Sequence, residues 1–405
     1  MNRMYMAAVA VKEMPGLPDA DLVTLSKVLM RVTARTVTAL AAVPGYDQAL
    51  RDGYALATDG VQRQEGMQFR VVGEIAAGSQ MSQRLEAGSA CRIMTGGMVP
   101  EGADQVVPQE ECQVSGATVT VPADSLRRKN TFIEKKGSQI AKGEELVEAG
   151  TILQPEHLAL LAATRHVEIE VYRRPRVGFF CTGSELVDAP GALRPGLKVS
   201  ANGYLLNGLI RQFLAEPEDL GRVADRKGEL ARVFEKISAG NFDAMISTGG
   251  MGPGKYDLLE EAFVAAGGEI LSRTLPMRPG QSTLIGRLDG KPFFGLPGPP
   301  GAVRTLMNEV VGPALLQMQG VREYQPVVAR ARLRERVELR RSDVLLVKAG
   351  MLSMTEDGQE VRLAGRLEPP TCFALFPPGR EVYPSGSEVE VHLSWSPEVA
   401  RLFRG

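Results

Sequence analysis

The sequence has few of the residues that form disulfides or bind transition metals. It contains four cysteines and three histidines in 405 residues, and neither set forms a cluster or a C-x-x-C pair. Neither a disulfide framework nor a zinc site is therefore predicted. Two of the histidines fall in a helix-like stretch, and we interpret them as surface or capping residues: His157 and His166.

The chain also lacks an excess of charge of one sign and any long apolar run. Lys and Arg number 47 and Asp and Glu number 48, which argues against the global basic field that is typical of nucleic-acid-binding proteins. No run of about 18 apolar residues is present, so no membrane-spanning helix is predicted. The N-terminal apolar patch is short and is interrupted by Lys12 and Glu13, unlike a secretory signal. We expect a cytoplasmic protein that binds neither nucleic acid nor membrane.

Hydrophobic patterning divides the first part of the chain into helical and β-rich segments. Residues 20–43 carry apolar side chains at steps of three and four and are followed by Pro44 and Gly45, a pattern that predicts a helix. Between residues 46 and 136, short segments such as QFRVVGEI and ATVTVPA are broken by Gly, Asp and Pro, which indicates a β-rich domain. A helix and then a strand are predicted again within residues 150–175. We interpret the β-rich segment as an insert in a helical domain.

Strands and helices alternate from residue 175, which predicts a parallel, doubly wound sheet. The apolar strands RVGFFCTG, FDAMIST and PFFGLPG each end in a loop that contains glycine. Such sheets bind ligands outside the carboxyl ends of their strands. The loop STGGMGPG in particular suits an anion, because main-chain N–H groups and a helix dipole meet there. A site for a phosphorylated ligand is therefore predicted at this edge.

The last part of the chain, after about residue 323, is strand-like again. The segment VVARARLRERVELRR alternates and places four arginines on one side: Arg330, Arg332, Arg334 and Arg336. We favour a solvent-exposed strand face, with an anion-binding surface as the alternative.

Seven motifs, in this order, resemble those of the molybdopterin molybdenumtransferase family. They are VPGYDQALRDGYAL, RIMTGGMVPEGADQVVPQEE, KKGSQIAKGEELVEAGTIL, CTGSELV, STGGMGPGKYD, RPGQS and GLPGPPGAV. The resemblance covers nearly the whole chain, and RIMTGGMVPEGAD is its most specific part. It implies a multidomain fold of α/β plus β class with four parts. These are a helical linker domain (1–45 and 137–172), a β-rich insert (46–136), a doubly wound molybdopterin-binding α/β domain (173–323) and a small C-terminal β-barrel (324–405).

The resemblance also implies the chemistry. Members of the family are transferases of molybdenum-cofactor biosynthesis, which insert molybdate into adenylylated molybdopterin and release AMP. Tungstate is the related oxyanion that the sequence does not distinguish from molybdate. The resemblance further implies Mg²⁺ as cofactor and a homodimer, in which each active site lies between the α/β domain of one chain and the insert of the other. Other molybdenum-cofactor proteins are possible further partners.

Five residues match catalytic positions of the family's motifs: Asp52, Thr95, Glu185, Asp225 and Asp257. The last two are also the expected metal ligands. Local alternatives exist for four of them, since Asp52 and Thr95 suit turns and Asp225 and Asp257 suit helix N-caps. The expected molybdopterin-binding residues are Thr182, Gly183, Ser184, Ser247, Thr248, Gly249, Gly250, Gly254, Arg278, Pro279, Gly280, Pro297 and Gly298.

Some family positions carry other residues in this sequence. Ser138 and Gln139 replace two acids, Gln281 replaces a lysine, and GPPGA, which includes Pro299, replaces Gly-Asn-Pro-Val-Ser. Two neighbouring cations could supply the missing charge: Lys255 and Arg273. These replacements leave two alternatives open. One is a non-catalytic molybdopterin-binding paralogue that acts as carrier or sensor, and the other is a relative with adenylyl-transfer or AMP-hydrolysing chemistry.

Overall fold

The structure is a computed structural model. It describes residues 19–59, 66–76, 78–79, 84–127, 132–187, 194–251, 258–321, 326–340, 343–366 and 368–396. None of the helices in these ranges combines the length and the apolar character that crossing a bilayer requires.

The described residues between 19 and 172 form a six-stranded sheet and three two-stranded pairs. The strands are β1 Ala20–Thr24, β2 Val37–Thr38, β3 Gln48–Ala49, β4 Gly53–Leu56, β5 Met67–Ile75, β6 Ser89–Ile93, β7 Gln105–Pro108, β8 Gln113–Ser115, β9 Thr118–Val121, β10 Ile133–Glu134, β11 Glu145–Val147 and β12 Glu168–Tyr172. The helices are α1 Ala123–Arg127 and α2 Pro155–Ala163, with 3₁₀ turns at Leu25–Lys27 and Gln109–Glu111. Strand β1 pairs with β12, β2 with β11 and β3 with β10, while the large sheet has the order β7-β4-β6-β5-β9-β8.

The helix predicted over residues 20–43 is wrong. This segment forms β1, a 3₁₀ turn and β2. It is rich in Val and Thr, whose β-branched side chains favour strands over helices. The partner of β1 lies far along the chain, since Ala20 is opposite Tyr172. The apolar residues therefore face different surroundings, and Leu22 is 67% exposed whereas Val28 is buried.

Other predictions for this part of the chain are confirmed. The helix and strand expected within residues 150–175 are α2 and β12. His157 is a capping residue, because its Nδ1 accepts a hydrogen bond from the Gln154 N–H at 3.1 Å. Cys91 and Cys112 of this part, like Cys181 and Cys372 further along the chain, are free thiols.

The central part of the chain is an α/β domain with one six-stranded sheet. Its strands are β13 Arg176–Thr182, β14 Leu186–Val187, β15 Lys198–Val199, β16 Glu216–Val223, β17 Ala244–Thr248, β18 Glu269–Ser272, β19 Met277–Arg278, β20 Leu284–Leu288 and β21 Lys291–Leu296. Its helices are α3 Ala201–Gln212, α4 Lys227–Ala239, α5 Leu258–Ala265, α6 Pro300–Leu306 and α7 Gly312–Met318, and a π-helical segment, Met307–Val311, joins the last two. The sheet order is β16-β13-β17-β21-β20-β18. Outside it, β14 pairs with β15, and β19 pairs with residues 345–346 of the C-terminal part.

The sheet is parallel over β16, β13, β17 and β21, as predicted, but its far edge is antiparallel. Strand β20 runs antiparallel to β21, and β18 runs antiparallel to β20. The two residues between β20 and β21 are Asp289 and Gly290, with φ of 53° and 76°. Asp-Gly with two positive φ angles is the preferred turn of a tight hairpin, which explains the departure from a fully parallel sheet.

Helices cover both faces of this sheet, so the doubly wound prediction is confirmed. Adjacent residues of β13 face opposite sides, because side chains alternate along a strand. Phe179 packs in one core with Leu206 of α3 and Leu306 of α6. Phe180 packs in a second core with Phe234 of α4 and residues of α5. The carboxyl ends of the strands are left uncovered by these two layers.

The C-terminal part is a closed five-stranded barrel, as predicted. The strands of this part are β22 Val328–Leu333, β23 Val337–Glu338, β24 Leu345–Thr355, β25 Gly358–Leu363, β26 Cys372–Phe376, β27 Val382–Tyr383 and β28 Glu388–Leu393. Strands β23 and β27 pair with each other and are not among the five barrel strands. The order β24-β25-β22-β28-β26 closes through pairing of β26 with β24. Strand β22 carries the first of the four aligned arginines, and Arg330 is exposed with its Nη1 2.8 Å from Glu388 Oε1. This contact supports the exposed-face interpretation.

Buried contacts attach the barrel to the α/β domain. Trp395 follows β28 and stacks on Phe213, with ring centroids 5.8 Å apart. Its indole N–H donates to the Gln212 carbonyl at 2.9 Å. His392 Nδ1 lies 2.7 Å from Oε2 of Glu309 in the π-helical segment, with both side chains almost fully buried. These contacts hold the barrel against the end of α3 and the π-helical segment.

Candidate functional site

A cavity of about 850 Å³ opens at the carboxyl ends of β13, β16, β17 and β21. The lining residues are Thr182, Gly183, Glu185, Leu186, Lys198, Val199, Ser200, Ala201, Asn202, Asp225, Thr248, Gly249, Gly250, Met251, Ser282, Pro297, Gly298, Pro299, Pro300 and Arg366. The three loops that the sequence placed at this edge therefore meet at one cavity.

Glycines let the loop after β17 pass directly against the end of β13. Gly249 and Gly250 have φ of +93° and +68°, which side-chain-bearing residues rarely adopt. A Cβ on Gly249 would lie 2.2 Å from the Thr182 carbonyl oxygen. Both the backbone conformation and the close approach thus require glycine at this position.

Two of the glycine amides that the sequence suggested for anion binding are occupied within the fold. The Gly249 N–H donates to the Leu296 carbonyl at 3.0 Å, and the Gly183 N–H donates to the Val223 carbonyl at 3.2 Å. These bonds extend the sheet beyond its regular strands. The contribution of Gly183 and Gly249 to the site is therefore close packing of the loops, and anion binding has to come from other groups.

Charged groups of both signs line the cavity. Glu185 and Asp225 supply carboxylates, whereas Lys198 and Arg366 supply cations. Helix α3 begins at the cavity wall, so the positive end of its dipole adds to the cations. Neither cation is among the predicted site residues, because Lys198 lies in a two-residue strand and Arg366 comes from the barrel. The cavity can accept an anion and a cation side by side.

Asp225 is not the N-cap of α4, so this alternative is wrong. Arg226 occupies the N-cap position, and no side chain caps the helix there. Asp225 Oδ1 instead lies 3.5 Å from the position that a Cβ on Gly250 would take. The carboxylate is therefore directed at the glycine loop and the cavity.

Asn202, in the first turn of α3, connects the loops that follow two strands. Its Nδ2 donates to Thr248 Oγ1 at 2.8 Å and to the Gly298 carbonyl at 2.7 Å. Thr248 Oγ1 in turn lies 3.3 Å from the Pro297 carbonyl. These bonds fix the floor of the cavity, although no sequence motif pointed to Asn202.

Asp52 and Thr95 contact each other in the insert. Asp52 Oδ1 accepts hydrogen bonds from the Thr95 N–H at 2.7 Å and from Thr95 Oγ1 at 2.8 Å. The backbone and side-chain bonds from Thr95 hold the pKa of Asp52 below its ordinary value. Within the described part of the chain, neither residue is among those that line the cavity. In a single chain Asp52 thus fixes the backbone at Thr95, a contact between segments 43 residues apart and not a local Asp-Gly turn.

The remaining predicted residues lie beside or below the cavity. Ser247 is fully buried within β17, and Ser184 is exposed next to Glu185. Arg278 is exposed at the end of β19, and Ser282 is the residue after the RPGQ sequence that reaches the cavity lining. Two further predicted site residues, Gly254 and Asp257, lie outside the described residues. Pro279 and Gly280 are described but are not among the residues that line the cavity.

One of the replaced family positions, Gln139, and one of the two substitute cations, Arg273, have partners within the fold. Gln139 Nε2 donates to Glu134 Oε1 at 2.7 Å, and this bond, with a second from Gln48, lowers the pKa of Glu134. Arg273 Nη2 lies 2.8 Å from Glu260 Oε1, so its charge is already compensated. The other cation considered as a substitute, Lys255, lies outside the described residues.

The chain thus combines an N-terminal part with a six-stranded β-sheet, a doubly wound sheet with a charged cavity at its carboxyl edge, and a barrel, an architecture suited to binding a charged small molecule. Comparisons identify the class further. Residues 4–164 match the model of the MoeA N-terminal region (domain I and II), and residues 178–317 match a probable molybdopterin binding domain.

Relatives along almost the whole chain agree with these matches. A molybdopterin molybdenumtransferase from Nostoc sp. is 33% identical over 80% of this chain and 75% of its own length. One from Staphylococcus aureus is 29% identical over 95% of this chain and 94% of its own. A solved structure of the molybdopterin biosynthesis MoeA protein from Pyrococcus horikosii has a TM-score of 0.83 at 28% identity, covering 97% and 99% of the two chains. The chain belongs to the molybdopterin molybdenumtransferase family. The members of this family are transferases of molybdenum-cofactor biosynthesis.

Proposed function

We propose that the cavity binds adenylylated molybdopterin and that the protein inserts molybdenum from molybdate with release of AMP. The observation that carries this proposal is the meeting of Glu185, Asp225, Lys198 and Arg366 around one cavity in a member of this family. A volume of about 850 Å³ is large enough for a nucleotide-sized ligand. Lys198, Arg366 and the first turn of α3 suit its pyrophosphate.

The proposed reaction balances without an oxidant or a reductant. The two dithiolene sulfurs lose their protons and replace two oxygens of molybdate. One of these oxygens leaves with both protons as water. The other oxygen ends on a phosphate when the phosphoanhydride bond breaks and AMP departs. The cations of the cavity stabilise the negative charge that develops on the leaving phosphate.

Mg²⁺ fits the donor set of the cavity. Glu185 and Asp225 are hard oxygen ligands, and Mg²⁺ typically binds one or two carboxylates together with substrate phosphates. The described residues contain no cluster of three or more His, Cys, Asp or Glu that would form a complete protein cage. When bound, Mg²⁺ would neutralise phosphate charge, with Asp225 and the sequence-predicted Asp257 as its expected ligands.

A second copy of the chain is the proposed source of Asp52 and Thr95 at the site. Apolar side chains are exposed around this pair on the insert, including Tyr46 at 37%, Met98 at 38% and Leu50 at 44%. Exposed apolar groups beside two family site residues support a contact with another subunit. We also propose the cytoplasm as the site of this activity, with other molybdenum-cofactor proteins as partners that supply or receive the pterin.

An AMP-release assay tests the proposal. Purified protein is incubated with adenylylated molybdopterin, Mg²⁺ and either molybdate or tungstate. Oxyanion-dependent AMP release is expected, and Asp225→Asn should lower it at least tenfold. Asp124→Asn is the matched control, since Asp124 is an exposed carboxylate on α1 beside Arg127.

Other results of the assay would contradict the proposed function and favour one of the alternatives. Tight binding without AMP release would indicate the carrier or sensor alternative. AMP release that does not depend on the oxyanion would indicate AMP-hydrolysing chemistry, and adenylylation of molybdopterin from ATP would indicate adenylyl-transfer chemistry.

A further inference from the structure

We propose that Asn202 is a specificity-determining residue, whose side-chain oxygen accepts a hydrogen bond from the N–H edge of the pterin ring. The inference deepens the proposed function and rests on it. No family motif in the sequence pointed to this residue. It is carried by the hydrogen bonds that fix the orientation of the Asn202 amide.

The orientation of the Asn202 amide follows from its neighbours. A backbone carbonyl can only accept a hydrogen bond, so the group that faces the Gly298 oxygen at 2.7 Å must be the NH₂. The same NH₂ also donates to Thr248 Oγ1 at 2.8 Å. Both donor hydrogens are thereby used, and the amide cannot rotate without losing both bonds.

The opposite end of the amide is left without a partner in the fold. Asn202 Oδ1 is buried and accepts no hydrogen bond from any residue that the structure describes. Asn202 lines the cavity. Buried polar atoms in native proteins nearly always have a partner. Because Asn202 belongs to the cavity wall, a ligand bound there is the group that can supply the partner of Oδ1. The ligand group must be a donor, because Oδ1 can only accept.

A second buried polar atom lies on the same floor. Thr182, at the end of β13, is 4% exposed and lines the cavity. Its Oγ1 also has no hydrogen-bond partner among the described residues. The β17 loop packs over this hydroxyl, since a Cβ on Gly250 would lie 2.7 Å from it. Two buried polar atoms of the cavity wall, contributed by different elements, therefore have no partner in the described part of the fold.

The uncharged polar atoms of Asn202 and Thr182 and the two cations of the cavity consequently suit different parts of one ligand. An acceptor such as Asn202 Oδ1 repels a phosphate oxygen, so the pyrophosphate belongs with Lys198 and Arg366 instead. The 2-amino-4-oxopyrimidine edge of a pterin presents neighbouring N–H donors. We therefore assign the 2-amino group of the pterin to Asn202 Oδ1, the adjoining part of the same edge to Thr182, and the anion to the two cations.

Calorimetric titration with matched ligands tests this assignment. The probes are 6-hydroxymethylpterin, 6-hydroxymethyllumazine, in which a carbonyl replaces the 2-amino group, and inorganic pyrophosphate. The intact protein should bind the pterin about tenfold more tightly than the lumazine, because the lumazine places an acceptor against an acceptor. Asn202→Ala should remove this preference and leave pyrophosphate affinity within about twofold. Asn207→Ala, on the same helix but not among the described lining residues, is the matched control.

Equal affinity of the intact protein for pterin and lumazine would overturn the inference, and this result does not depend on how any variant folds. Retention of the preference in a folded Asn202→Ala protein would overturn it as well. Failure of the proposed function has a different signature. In that case the intact protein prefers the pterin but releases no AMP when molybdate is added.

Discussion

At the scale of single residues, the space around Gly249 is the tightest constraint on the candidate site. We expect Gly249→Ala to lower the free energy of unfolding by about 2–4 kcal/mol, because the new methyl group meets the Thr182 carbonyl and φ is positive. The strand end would have to move, so the AMP-release rate should fall as well. Urea unfolding and the AMP assay measure the two effects.

Gly208 provides the control for this substitution. It lies inside α3, where a Cβ would meet nothing within 4 Å. Gly208→Ala should therefore raise the free energy of unfolding by about 0.5–1 kcal/mol, since alanine has the higher helix propensity. If Gly249→Ala is as stable as the unmodified protein, the contact between the two loops is not as close as described.

Part of the candidate site could be predicted from residues that directly follow apolar strands. Glu185 and Thr248 belong to this group, because strand ends in a parallel sheet meet at one edge. Lys198, Asn202 and Arg366 could not be predicted in this way. They reach the cavity from a short strand pair, a helix start and the barrel, and only the folded chain brings them together.

At the scale of elements, local sequence signals predicted most of the α/β domain but failed where pairing is distant. The apolar steps in residues 20–43 suggested a helix, whereas the strand that pairs with β1 is contributed by residues 168–172. The Asp289-Gly290 pair was a local signal for a hairpin. Its turn geometry is what makes the far edge of the sheet antiparallel.

One ion pair anchors the segment that links β12 to the α/β domain. Arg173 binds both carboxylate oxygens of Asp243 at 2.6 and 2.7 Å, and the Arg176 N–H donates to Asp243 as well. Burial would raise the pKa of Asp243, but the bonds from Arg173 and Arg176 outweigh it and lower the pKa. We expect Asp243→Asn to lower the free energy of unfolding at pH 7 by about 2 kcal/mol.

The pH dependence of this effect has a definite sign. A carboxyl group whose pKa is lower in the folded state stabilises the fold at pH values above its pKa in the unfolded chain, near 4. This stabilisation is lost as the pH falls through the pKa of the folded state. The difference between Asp243→Asn and the unmodified protein should therefore shrink below about pH 4. Glu218→Gln is the control, since its exposed pair with Arg176 should contribute less than about 1 kcal/mol.

The contact between β28 and the π-helical segment gives a second pH-dependent element. Burial by itself would lower the pKa of His392, but the hydrogen bond and charge of Glu309, aided by Glu390, raise it overall. Protonated His392 then stabilises the fold below its unfolded pKa, near 6.5, and this stability is lost as the pH rises through the folded value. Chemical unfolding at a series of pH values above 6 should show this decline.

Glu309→Gln should remove this pH dependence and lower the free energy of unfolding by about 3 kcal/mol near pH 6, because a buried charge loses its partner. His166→Gln is the control. This histidine is partly exposed, and its ring forms a hydrogen bond with the Thr38 carbonyl and no ion pair within the described residues. A decline of stability that persists unchanged in Glu309→Gln would assign it to other groups.

At the scale of the whole molecule, the position of the insert relative to the cavity decides whether one chain is sufficient. Asp52 and Thr95 bind each other, and within the described residues of one chain they are absent from the cavity lining. If a second chain completes the site, Asp52 and Asp225 of one functional site come from different subunits. Substitutions at the two positions should then complement each other.

We expect Asp52→Asn and Asp225→Asn to be nearly inactive as separate proteins. Asparagine at position 52 can still accept the two bonds from Thr95, so the turn is retained while the charge is lost. When the two variants are co-expressed, half of randomly formed dimers are mixed, and each mixed dimer has one intact site. The AMP-release rate should therefore recover to about a quarter of the unmodified rate. Co-expression of Glu185→Gln with Asp225→Asn should give no recovery, because both residues line the same cavity of one chain. No recovery in the first pair, with dimers shown by light scattering, would place Asp52 outside any shared site.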